Sequence, residues 1–143
     1  GDYAASIKDP DILTEYVRSS LRVSITKKFT QAGNKIYAVS IAPDLEQYML
    51  QSIQKTEHGT NLVVEPNIAQ IIYRKIADAF STQVARGISP VILCSPLVRM
   101  YFKRLIEKKF PDVDVVSFNE IVQTVTVESA GIIDMKGQST QTK

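Results

Sequence analysis

Three prolines set the strongest constraint on how this chain can fold. Pro43, Pro66 and Pro96 each follow a short apolar run and precede a stretch with helical spacing. A proline's fixed φ suits the first turn of a helix, where its missing N–H has no partner to lose. The repeated order is therefore strand, proline, helix, and strands alternating with helices predict a layered α/β domain. The unit around Pro96 is the clearest. Val91–Cys94 is a continuous apolar run between Ser89-Pro90 and Ser95-Pro96, too short for a helix, and reads as a strand covered on both faces. Residues 97–110 then place Val98, Phe102, Leu105 and Ile106 on one side and Arg99, Lys103, Arg104 and Lys108 towards the other, which predicts an amphipathic helix. Pro111-Asp112 ends it, and residues 113–116 read as the next strand.

The rest of the chain fits around these units. Asp9-Pro10 opens a first helix, with Asp9 as cap and Pro10 at its first position. Leu13, Val17, Leu21, Ile25 and Phe29 follow at four-residue steps, and Gly33 stops the run. Residues 36–41 read as a strand, and the helix behind Pro43 is expected to reach about residue 55. Residues 56–61 read as a loop and residues 62–65 as a short strand. The helix behind Pro66 carries Ile68, Ile72, Ile76, Phe80 and Val84 and stops at Arg86-Gly87. Residues 121–127 are expected to give a last strand or two. The three units differ in length and are not sequence repeats. The predicted fold class is α/β, a layered domain with a mixed, largely parallel sheet and flanking helices, preceded by one helix of a helical subdomain. The expected division is 1–33 for that helix, 34–129 for the α/β subdomain and 130–143 for a disordered tail, with residues 1–8 a ragged end.

Composition narrows the function. Hydrophobic residues form 44% of the 143, enough for a core. The formal net charge of +2 is far from the strongly basic balance of a nucleic-acid binder. One cysteine excludes an internal disulfide framework, and one histidine excludes a His-based metal site. No apolar run approaches the roughly 18 residues that cross a bilayer. The first residues do not read as a signal peptide, and with no initiator Met the chain is expected to be a piece of something longer.

Candidate chemistry is sparse. His58 lies beside Glu57 and Gly59 and reads either as a general base near a turn or, more commonly for such a setting, as a solvated loop histidine. Cys94 closes a strand just before a helix, where some α/β enzymes hold a nucleophile. The Gly-x-Ser-x-Gly elbow is missing, so a small core residue is the stronger reading. No glycine pattern cradles phosphate groups. Asp112 and Asp114 would share a face on a strand and read as a pair able to hold a cation or act with a partner or, more simply, as a polar turn edge. Arg99, Lys103, Arg104 and Lys108 form the one charge cluster with binding potential; it reads as a solvated helix face or a docking surface for an acidic protein.

The run from Pro90 through Pro111 (PVILCSPLVRMYFKRLIEKKFP), followed by VVSFNEI from Val115 to Ile121, resembles the C-terminal segment of the FlhA family. The opening DPDILTEYVRSSLR from Asp9, and Gly59 to Pro66, resemble the same family, so the likeness covers residues 9–128. That resemblance implies a non-enzymatic module of a flagellar type III secretion export gate, the cytoplasmic part of a bacterial inner-membrane protein. It implies a ring in the parent protein, partners among export chaperone–substrate complexes and other export-apparatus proteins, no cofactor and no nucleic acid. Membrane attachment would come only through a missing N-terminal region. The alternatives are the equivalent module of a virulence injectisome, or a small α/β enzyme using Cys94 or His58.

Overall fold

The computed structural model describes residues 9–136; the expected ragged end and residues 137–143 of the expected tail lie outside them. In chain order come α1 (Pro10–Ser20), α2 (Arg22–Phe29), β1 (Lys35–Ile41), α3 (Pro43–Gln51), β2 (Ile53–Thr56), β3 (Gly59–Leu62) and α4 (Pro66–Ala85). Then follow β4 (Val91–Cys94), α5 (Arg99–Ile106), β5 (Val115–Ser117), a 3-10 turn (Phe118–Glu120) and β6 (Thr126–Ile133). Four strands form one sheet in the order β5-β4-β1-β6, and every pairing in it is parallel. The separate β2–β3 hairpin is antiparallel. The fold is thus the α/β class that the strand–proline–helix order predicts.

Alternation along the strands decides what covers each face. Val39, Ile41, Ile92, Cys94 and Val115 point to one side, where Leu45 and Met49 of α3, Ile68, Ile72 and Ile76 of α4, and Phe102 and Ile106 of α5 close the main core. Ile36, Ala38, Val91, Leu93 and Val116 point to the other, under Ile25 and Phe29 of α2. Ile121 and Val125 complete that second layer. They belong to the segment that carries the chain from β5 at one edge of the sheet to β6 at the other. Residues 121–125, expected within a strand, are therefore this crossing segment.

The last strand is longer and later than expected. Residues 130–133, expected in the tail, belong to β6, and Ile133 is fully buried. The strand carries a bulge: Ser129 faces Ala38 and Gly131 faces Val39, leaving Ala130 as the extra residue. Gly131 has φ 139°, which an L side chain rarely adopts. Gln83 of α4 donates to the Ala130 carbonyl at 3.0 Å and satisfies the group the bulge frees.

Several local boundaries also differ: the helix behind Pro96, expected over residues 97–110, is α5 at Arg99–Ile106. The first helix is two, broken at Leu21, whose ψ of 20° leaves the helical range. The helix behind Pro43 stops at Gln51, where Ser52 donates from its hydroxyl to the Tyr48 carbonyl and from its amide to the Met49 carbonyl. The expected loop at 56–61 is mostly the hairpin, turning at Glu57-His58 with Gly59 at φ 111°.

Candidate functional site

The reactive residues stay apart. His58 is exposed in the β2–β3 turn, and its backbone amide donates to Thr56 Oγ1 at 3.2 Å. Cys94 is fully buried at the end of β4. Burial, and next the charge of Glu46, push its thiol up to about 12, so it stays protonated and unreactive at neutral pH. Neither residue lines any of the five principal surface recesses among the described residues. Asp112 and Asp114 are exposed on either side of buried Val113, and no group of three or more potential metal ligands occurs among the described residues.

The cationic cluster of α5 does not form one exposed face. Arg99 is 7% exposed, which corrects its placement on the solvated side. It stands three before Phe102 and seven before Ile106, on the stripe that α5 buries. Its guanidinium donates to both carboxylate oxygens of Glu15, at 3.0 and 2.8 Å, and to the Val115 carbonyl at 3.1 Å. Burial alone would lower its pKa, but the hydrogen bonds and charge of Glu15, then Glu120, reverse this and raise it. Lys103 is half-buried and donates to the Val113 carbonyl at 2.8 Å. Arg104 is exposed and pairs with Asp11 at 2.8 Å. Lys108 is exposed.

Arg99 belongs to an ionic lattice whose other members the sequence reading passed over. Glu120, 1% exposed, receives two hydrogen bonds from Arg18, at 2.8 and 2.9 Å, and one from the Ser117 amide at 3.1 Å. Arg99 reaches the same carboxylate at 4.0 Å. Thr26 of α2 donates to the Glu120 carbonyl at 3.0 Å and accepts from the Val122 amide, also at 3.0 Å. Asp11, Glu15 and Arg18 are spaced one helical turn apart on α1, so one face of that helix makes all three ion pairs. That spacing was the available signal.

The consequence for α1 is an inverted amphipathic helix. Its charged face lies against the α/β layer, and none of its residues is buried. Ile12, Leu13, Tyr16 and Val17, on the apolar side of α1, are 40–55% exposed. The groups most available for contact are therefore an outward apolar stripe on α1 and a set of cations shared among α1, α2 and α5.

The thiol is buried at the end of β4 and the imidazole is exposed in the hairpin turn, and comparison with known proteins gives the family of this α/β block. The chain belongs to the FHIPEP family, which it matches over residues 1–126. It is 38% identical over 134 residues to the flagellar biosynthesis protein FlhA of Bacillus subtilis, covering 94% of this chain and 20% of that protein. Among solved structures, it superposes on the Chlamydia pneumoniae CdsV protein in its complex with CdsO with a TM-score of 0.80 and 34% identity, covering 92% of this chain and 39% of that one. A nonameric EscV cytosolic domain from a type III secretion system gives a TM-score of 0.69 and 28% identity, covering 92% and 38%. The chain thus spans about a fifth of the FlhA relative and under two-fifths of the matched structures. It has the sequence and fold of part of a type III secretion export-gate cytosolic domain. Among the described residues no helix is long and apolar enough to cross a membrane.

Proposed function

We propose that this chain is the C-terminal cytosolic module of a flagellar export gate, a rigid α/β block in the platform that docks export chaperones and their cargo. The observation that carries the reading is similarity over nearly the whole chain to FlhA, at 38% identity, in a fold whose side chains close a core and assemble no reactive cleft. The module has no enzymatic role in this reading. In the parent protein it sits on the cytoplasmic side of the bacterial inner membrane and joins a ring. The nonameric relative supports the ring, and the CdsV–CdsO complex supports contact with other export-apparatus proteins.

The outward stripe on α1 supports a further part of the reading. Residues 1–33 end a preceding helical subdomain, and upstream polypeptide covers Ile12, Leu13, Tyr16 and Val17 in the longer protein. Relatives with more than twice this chain's length supply such polypeptide. The equivalent module of a virulence injectisome is the second reading, favoured by the 34% identity to CdsV.

The test is replacement of the matching segment of Bacillus subtilis FlhA with this chain. The flagellar reading expects restored swimming and flagellin export. A stable, ring-forming chimera that exports nothing overturns it, and the same exchange in an injectisome gate then tests the second reading. Capture of export-apparatus proteins by the whole cytosolic region, compared with this chain alone, reports whether docking needs the rest of the platform.

A further inference from the structure

Two of the cations that the sequence singled out, Arg99 and Lys103, meet two others, Arg18 and Lys28, in a place no helical wheel of α5 could show. Between α2, α5 and the start of β5 lies a recess of about 120 Å³ lined by Arg18, Lys28, Arg99 and Lys103. Asp114 is the one acid among the residues that line it, and Ile25 and Phe29 give it an apolar wall. Glu15 and Glu120 neutralise the two guanidiniums from behind, as described above. The two lysines have no such partner. Within 4.0 Å, neither Lys28 nor Lys103 forms an ion pair among the described residues. Lys103 spends two of its three protons on the Pro111 and Val113 carbonyls, and Lys28 rests over the Phe29 ring at 5.3 Å.

Four cations meet three carboxylates here, Glu15, Glu120 and Asp114, and the positive charge left over on the lysine side favours a counter-anion. The donors left over match a compact anion. Each guanidinium keeps N–H groups beyond its carboxylate contacts, Lys28 keeps three protons and Lys103 one. Guanidinium and ammonium groups arranged in this way form short, charge-assisted hydrogen bonds to phosphate oxygens. The pocket is too small for a nucleotide and is not a glycine-rich cradle. We propose that this recess is a binding site for a phosphate-type oxyanion, free or carried as a phosphomonoester on a larger molecule. Because its walls come from α2, α5 and the α1 ion pairs together, the bound anion would fasten α2 to the α/β layer.

The experiment is a titration of the 143-residue chain with inorganic phosphate, followed by amide NMR shifts, against sodium chloride at matched ionic strength. A parallel arm uses glycerol 3-phosphate. Saturable binding is expected, with the largest shifts at Lys28, Phe29 and Val115. Lys28→Ala/Lys103→Ala is expected to weaken it about tenfold or more, while Lys108→Ala, in the exposed turn after α5 and outside the recess, leaves it within about twofold. Tighter binding of glycerol 3-phosphate than of phosphate identifies the carried form; equal or weaker binding identifies the free ion. Lys28→Ala alone guards against a folding defect at Lys103, since Lys28 is exposed and bonds to no backbone group. A phosphate response equal to that of chloride overturns the site, as does wild-type binding by a folded Lys28→Ala chain.

Discussion

Replacing Arg99 with alanine tests the ionic lattice most directly. The side chain is 8% exposed and makes two hydrogen bonds to Glu15 and one to the Val115 carbonyl. Removing one partner of a buried pair costs about 3–5 kcal/mol, because the other charge is left desolvated and unpaired. Two features moderate that figure here. The Glu15 side chain is 22% exposed and regains water, and Glu120 keeps Arg18 and the Ser117 amide. The low end, about 3 kcal/mol, is therefore expected. For a domain near this size, 1 kcal/mol moves the melting temperature by about 3–4 °C, so the shift should be about 10 °C. Lys108→Ala, an exposed charge in the turn just after the same helix, should stay within about 0.5 kcal/mol. Thermal and urea denaturation followed by far-UV circular dichroism measures both. If Arg99→Ala falls within about 1 kcal/mol of Lys108→Ala, the Arg99–Glu15 pair is not a buried tie and the reasoning fails.

Phe102→Ala should lose about 3–5 kcal/mol in the same assay, because Phe102 is fully enclosed between α5 and the sheet. Cys94 should resist a thiol reagent at pH 8 in the native chain and react promptly in denaturant; fast native labelling would contradict a thiol raised by burial to about 12. Asp134 is held below the ordinary carboxylate range, first by the hydrogen bond from Lys75 and then by the Lys136 amide. A depressed folded pKa adds stability above the unfolded value, and that stability is lost as pH falls through the folded one. Asp134→Asn should therefore be less stable than wild type at neutral pH, and the gap should begin to close only below about pH 4 and vanish once the pH is under the folded value; a gap that does not depend on pH would refute the pairing.

What the sequence revealed depended on whether a signal was local. Pro43 and Pro66 mark helix starts because a proline's constraint acts within one turn. Val91–Cys94 stands out because a strand covered on both faces has no polar residue to spare. The edge strand β6 was blurred for the opposite reason. Four of its first residues are exposed, so it lacks the apolar run of a central strand, and its bulge breaks the alternation. The direction in which α1 faces was not legible at all. Apolar residues at helical spacing normally face the core, but here ion pairs with Arg99, Arg104 and Glu120 turn the helix over, and those partners lie far along the chain. For Arg99 a cue existed in its spacing to Phe102 and Ile106, outweighed by the habit of placing arginine in water. The recess that gathers Arg18, Lys28, Arg99 and Lys103 needs three separate elements at once, and no window of sequence contains them.

Among the described strands β6 comes last and yet lies against β1, which comes first: Lys35 meets Thr126 and Ile41 meets Ile133. Until residues 126–133 have been made, one flank of β1 has no neighbour and offers bare amide and carbonyl groups beside Ile36 and Val39. A polypeptide cut short before residue 126 would keep that flank open for good, and strands in that condition pair with copies of themselves. Loss of β6 would then leave aggregate in place of a shortened domain.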